Sequence, residues 1–280
     1  MSKRSLWIPV AILMVLGNNV QAEEEGYLSL GVGLDRSSGK YGGTTTIEST
    51  SIPITLRYAR DDWSLKLTVP YLSVTGDGSV IINGIRGSGS GGMRMGIGMG
   101  GGGGGGGGTS TTTSTTTSTR VTNSGLGDVS LFAGYALWQS EEGDAGLDAG
   151  ARIKFGTAST TLGSGENDYA MQVSSWVAFG DLTPSLMLGY QKLGSTATAP
   201  LDNAAYGSVG MDYVLNDESN MGMEYWYAQS ASASGYAQRE LTLYAATQIG
   251  GDTTLNAFVM KGLSDGSPDT GYGVSLSAGF

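Results

Sequence analysis

The stretch Trp63–Tyr71, WSLKLTVPY, alternates strictly. Trp63, Leu65, Leu67, Val69 and Tyr71 fall on one side, and Ser64, Lys66 and Thr68 on the other. A period of two belongs to a β-strand with one apolar and one polar face. Just before it, SIPITLRYA sets Ile52, Ile54, Leu56 and Tyr58 against Ser51, Thr55 and Arg57, and Arg60–Asp62 supplies a tight turn between the two stretches. The format recurs to the end of the chain, and helical patterning is nearly absent. Twelve strands are predicted: Gly26–Leu34, Ile52–Ala59, Trp63–Tyr71, Gly127–Leu137, Leu147–Phe155, Tyr169–Phe179, Leu182–Gln191, Ala205–Val214, Met221–Gln229, Arg239–Gln248, Thr254–Leu263 and Tyr272–Phe280.

Strands of this length span a bilayer when tilted, and an even number returns the chain to its starting side. The connections alternate in length. Arg60–Asp62, Gly180–Asp181, Leu215–Asn220 and Ile249–Thr253 are short, whereas Asp35–Ser51, Leu72–Leu126, Gly156–Asp168 and Lys192–Ala204 are long. Short turns on one side and long loops on the other are the layout of an outer-membrane barrel. Tyr58 and Trp63 near one turn, and Tyr71, Tyr169 and Tyr190 near the other end, fit the two interfacial girdles of such a barrel. A soluble β-sandwich would also expose polar faces such as Asp148, Gly150, Arg152 and Lys154. It gives no reason for the strand lengths, the girdles or the alternating end GYGVSLSAGF. The expected fold is therefore all-β, a transmembrane antiparallel up-and-down β-barrel of 12 strands.

The N-terminus agrees. Lys3 and Arg4 precede the apolar run Leu6–Gly17, and Val20 and Ala22 follow in the small-residue pattern of a cleavage site. This predicts a signal peptide over 1–22 and a barrel over 23–280, in the cell outer membrane with both termini periplasmic. The run is too short for a spanning helix, which needs about 20 apolar residues. Phe280 resembles the terminal signal read by the barrel assembly machinery, and the expected surroundings are outer-membrane lipids.

Composition narrows the chemistry. The chain has no Cys and no His, which removes Ser-His-Asp and Cys-His catalysis and His-ligated metals. Its formal net charge of −10 disfavours nucleic acid as a partner. No cofactor and no catalytic residues are expected. Met93, Met95 and Met99 offer thioethers to a soft ion, but without His or Cys support they do not make a metal site.

If the apolar faces meet lipid, the opposite faces line a lumen. Arg57 and Lys66 fall side by side across the Asp61-Asp62 turn, and Asp212 and Glu224 can be placed the same way across LNDESN. Arg152 and Lys154 stand on one wall and Glu240 on the other. Basic and acidic walls would set up a transverse field of the kind that selects solutes. A closed barrel filled by a salt-bridged network is the alternative. Phe132, Trp176, Tyr206, Trp226, Tyr244 and Phe258, with Met187 and Met260, also face inward, either as a path for an apolar or aromatic solute or as packing.

GLGDVSLFAGYAL (Gly125–Leu137), GLDAGARIKFGTAS (Gly146–Ser159) and LGSGENDYAMQVSSWVAFGDLTPSLMLGY (Leu162–Tyr190) resemble the outer-membrane family associated with meta-cleavage phenol degradation. The resemblance implies a barrel and uptake of aromatic compounds, and it carries over no functional residues. The outer-membrane phospholipase and the omptin proteases share the barrel architecture but use a catalytic His, which this chain lacks. The expected function is a channel or transporter for passive uptake of small solutes, aromatic or apolar ones among them. The other reading is a surface-recognition or structural barrel acting through the long Gly/Thr/Ser-rich loop 72–126, whose tract GMGGGGGGGGGTSTTTSTTTSTR lies at Gly98–Arg120.

Overall fold

The computed structural model describes residues 26–76, 120–196, 200–232 and 235–280. The predicted signal segment, Met93, Met95 and Met99, and almost all of the Gly/Thr/Ser tract lie outside the described residues. The described chain is one antiparallel sheet that closes on itself. In chain order its strands are β1 (Tyr27–Gly39), β2 (Ile47–Arg60), β3 (Trp63–Gly76), β4 (Val121–Leu126), β5 (Ser130–Gln139), β6 (Ala145–Lys154), β7 (Asp168–Val177), β8 (Leu182–Lys192), β9 (Ala204–Asn216), β10 (Ser219–Ala228), β11 (Gln238–Gly250), β12 (Thr253–Gly262) and β13 (Thr270–Gly279). Each pairs with its neighbours, and β1 pairs with both β2 and β13, which closes the ring.

Thirteen segments make twelve staves, because β4 and β5 are two halves of one. β3 pairs through Trp63–Thr68 with β5 and through Tyr71–Gly76 with β4. The expected fourth strand, beginning at Gly127, is thus a stave interrupted at Gly127–Val129. Gly127 N still donates to Pro70 O (2.8 Å), and the break turns the Asp128 carboxylate toward Lys154.

Alternation sorts the side chains by burial. Leu30, Val32, Leu34, Ile54, Leu56, Leu65, Val173, Leu188, Val209, Leu243 and Val259 are exposed on the outside, and their polar or small neighbours are enclosed. An exterior this apolar is stable against lipid rather than water. Tyr58, Trp63, Tyr71, Tyr169 and Tyr190 are all outward and exposed, so the predicted girdle residues lie where the sequence pattern puts them. Trp63 also packs on Tyr135 at 4.6 Å between ring centroids.

Two loops are shorter than expected. Strand pairing continues five residues past Tyr71 and Leu34, so that Leu72–Gly76 and Val121–Leu126 form a ladder within the predicted loop 72–126. Asp35–Gly39 likewise pairs with Ile47–Ser51 within the predicted Asp35–Ser51 connection. The outer face of this extension is polar. Thr75 bonds to Thr122 (2.8 Å), Ser124 donates to Ser73 (2.8 Å), and Glu48 pairs with Arg36 (3.8 Å) and Arg120 (3.4 Å). The change from Leu/Ile to Ser/Thr/Arg along one face marks where the staves leave the lipid. At the other rim the turns are acidic: Asp61-Asp62, Glu141-Glu142, Asp181, Asp217-Glu218 and Asp252. β1 begins and β13 ends on this short-turn side, where Phe280 N donates to Leu28 O (2.8 Å).

Candidate functional site: the barrel lumen

The positions nominated from sequence lie on the enclosed side of the staves, opposite the exposed apolar rows. Arg57, Arg152, Lys154, Asp212, Glu224 and Glu240 are buried there, and Lys66 is half-buried. Phe132, Tyr206, Trp226 and Phe258 are buried, with Trp176 and Tyr244 half-buried. Charges enclosed in this way have to be compensated by other charges and hydrogen bonds. Arg57, Lys66, Arg152, Asp212, Glu224 and Glu240 each have at least one polar or electrostatic partner.

Three of the basic residues, Arg57, Lys66 and Arg152, form one group. Arg57 is directly opposite Lys66, Lys66 opposite Phe132, and Phe132 opposite Arg152, a single row across four staves. Lys154 does not belong to this wall. Its ammonium is held by Asp128 (2.6 Å) and Asp168 (2.9 Å), so its charge is neutralised on its own side. Those carboxylates reach further. Asp128 accepts from Ala158 N (2.9 Å), in the loop after β6, and Asp168 from Gly194 N (2.7 Å), in the loop after β8. One lysine therefore fastens two loops over the mouth. The first loop turns inward, burying Leu162 and Ala158 against Leu72.

The acidic pair also departs from expectation. Asp212 is opposite Gly222, and Glu224 is opposite Gly210, so the two carboxylates are offset by two residues rather than side by side. The cause is an irregularity beside the turn: Ser219 pairs with Asn216 but Asn220 with Val214, which leaves Leu215 as an extra residue. The offset increases the distance between like charges. Gly222 opposite Asp212 leaves space for Tyr244, whose hydroxyl donates to the Asp212 carboxylate.

The rings follow a rule that sequence reading missed. Five of the six nominated aromatics lie on a glycine of the adjacent stave: Trp176 on Gly146, Phe132 on Gly150, Tyr206 on Gly189, Tyr244 on Gly222 and Phe258 on Gly273. In four of these the glycine is the direct cross-strand partner. A Cβ on any of these glycines would collide with the ring above it. The rings therefore lie flat along the wall instead of projecting across the lumen. The signal was present in the alternating glycines of the inward faces, which read only as small residues. Trp226 is the exception and stacks on Tyr206, with centroids 5.3 Å apart and planes at 26°.

Around this stack Ala170, Met187, Leu193 and Ala228 form an apolar patch, with Leu201 and Ala231 of the mouth loops packed on it. Tyr206 donates to Gln172 Oε1 (3.3 Å) and Trp176 to Asp148, so both rings are held by their polar ends. The Trp226 indole N–H and Gln191 Oε1 are buried with no hydrogen-bond partner among the described residues. Buried polar groups are nearly always paired, which makes this donor and this acceptor exceptions in the wall.

No family model matches the chain, and no curated protein matches it in sequence. Solved structures do. The outer membrane channel from Pseudomonas putida F1 aligns with a TM-score of 0.67 at 12% identity, covering 92% of this chain and 97% of that one. The KdgM porin aligns with a TM-score of 0.52 at 11% identity, covering 90% and 99% respectively. At such identities the likeness concerns architecture, and it establishes that this chain has the fold of an outer-membrane β-barrel of twelve staves.

Proposed function

We propose that the protein is an outer-membrane channel for passive movement of small solutes, with aromatic and apolar molecules as its preferred class. The observation that carries this reading is the set of rings lying flat on the lumen wall and ending in the Tyr206–Trp226 stack beneath the mouth. A planar solute gains from flat π-faces and from a patch such as Met187, Leu193 and Ala228. The open Trp226 N–H and Gln191 Oε1 suit a polar substituent on that solute. The likeness of Gly125–Tyr190 to the family linked to phenol degradation points the same way. The short-turn side, with both strand termini, is the periplasmic side in this reading.

The test is uptake into proteoliposomes containing the refolded barrel, with phenol and toluene compared with glucose. The aromatic solutes are expected to enter faster than through protein-free vesicles, and glucose is not. Trp226→Phe removes the unpartnered N–H but keeps a ring. It should lower phenol flux more than toluene flux, while costing about 1 kcal/mol or less in stability. Equal entry of glucose and phenol would sink the aromatic preference, and no entry of any solute would sink the channel.

A further inference from the structure

Besides Arg120, which pairs with Glu48 (3.4 Å), four exposed cations within the strands on the long-loop side point away from the lumen: Arg36, Lys192, Arg239 and Lys261. They continue the lipid-facing rows, Arg36 after Val32 and Leu34, Arg239 after Leu243 and Leu241, and Lys261 after Val259. Three of them lie directly cross-strand from an outward tyrosine: Arg36 from Tyr272, Arg239 from Tyr227 and Lys192 from Tyr169. Tyrosine settles at the boundary of acyl chain and headgroup, so the paired cations stand at headgroup depth. The opposite rim has acidic turns, and its Arg60 lies 3.6 Å from Asp61.

Three of the four cations are neighbours. Arg36 is on β1, Lys261 on β12 and Arg239 on β11, with β13 between the first two. Arg36 shares a row with Tyr272, Val259 and Leu243, so Lys261 lies two residues and Arg239 four residues further towards the loops. Three strand spacings of about 4.8 Å and about 3.3 Å per residue of that offset spread the group over roughly 20 Å of the wall, with Lys261 in the middle. Lys261 and Arg239 have no side-chain ion pair among the described residues, and Arg36 has a long, exposed contact with Glu48 at 3.8 Å. Such a contact at the surface is weak. Within the strands themselves Glu48 is the one outward carboxylate at these ends among the described residues, and Asp265 and Asp269 are exposed in the connection between β12 and β13.

We propose that Arg36, Arg239 and Lys261 dock the headgroup of a phosphorylated membrane lipid, one with two phosphates to engage the three cations. Its acyl chains would lie on the apolar rows below, along Leu241, Val259 and Val274. Guanidinium and ammonium groups bind phosphate strongly, and the apolar rows below them suit a lipid rather than a soluble phosphate. The inference rests on the transmembrane barrel and is independent of what passes through the lumen.

The refolded barrel in zwitterionic micelles tests it, titrated with diphosphorylated lipid A, with lipid A stripped of phosphate, and with inorganic pyrophosphate. Retention is read by native mass spectrometry, and the heat-unfolding midpoint by the mobility shift of the folded barrel on gels. Lipid A is expected to be retained and to raise the midpoint, and the other two to do neither. K261Q should weaken retention about fivefold, and R36Q/R239Q/K261Q by about that factor for each charge removed. R60Q, on the other rim, should leave retention unchanged. Equal retention by the triple variant or of the stripped lipid would overturn the proposal, and so would a matching effect of pyrophosphate alone.

Discussion

Tyr244, Gly222 and Asp212 show how much depends on single positions in the lumen wall. The Tyr244 ring occupies the space above Gly222, and its hydroxyl satisfies a carboxylate that is 3% exposed. A Cβ at Gly222 would meet both that ring and the backbone oxygen of Met211, the latter at 2.7 Å. Gly222→Val should therefore expel the ring and strip Asp212 of its donor. The expected cost is about 2–4 kcal/mol from overpacking and the lost charge-assisted bond, measured by urea unfolding of the micellar barrel. Ala245→Val, on the exposed outer face of the same strand, should cost less. At this scale Arg57 beside Lys66 was legible, because a two-residue turn sets the register by counting. Asp212 and Glu224 were not, because the extra residue at Leu215 follows from the local path of the backbone and no residue type announces it.

Among the elements, the interrupted fourth stave matters most. Gly-Leu-Gly-Asp read naturally as the beginning of a strand, yet Val121–Leu126 precedes it in the same stave. The polar exterior of this upper half, Thr122 and Ser124 facing Thr75 and Ser73, is what made the segment look like loop. Water rather than lipid surrounds it, so alternation between apolar and polar no longer reports the strand. The break itself delivers Asp128 to Lys154. Lys154→Met would leave Asp128 and Asp168, with side chains 11% and 2% exposed, without their cation. Removing one partner of a buried ion cluster costs about 3–5 kcal/mol. Both loops should loosen at their bases, giving faster protease cleavage within 156–167 and 193–203 while the staves stay intact. Unchanged cleavage in both loops would show that Lys154 does not hold them.

For the whole molecule, the balance of enclosed charge sets how ions should respond. Among the described residues the lumen contains Arg57, Lys66, Arg152 and Lys154 against Asp35, Asp128, Asp148, Asp168, Asp212, Glu224 and Glu240. Carboxylates outnumber cations, so the refolded protein in a planar bilayer under a potassium chloride gradient should show a reversal potential favouring potassium. Asp148→Asn should reduce that preference. An anion-selective current would contradict this account of the lumen. The barrel, its staves and its inward faces were legible because a membrane forces one periodicity on every strand. The mouth was not, since loops folded over it obey contacts between distant residues such as Asp168 and Gly194.

The pairing of five of the six rings with a glycine of the adjacent stave makes the bore adjustable like an inlay. A tile and its recess can be exchanged for two mid-sized residues of the same total volume, leaving strand number and tilt untouched. Calibre and chemistry at one height can then change without disturbing the next. Closely related chains with the same twelve staves could in this way diverge in what they admit.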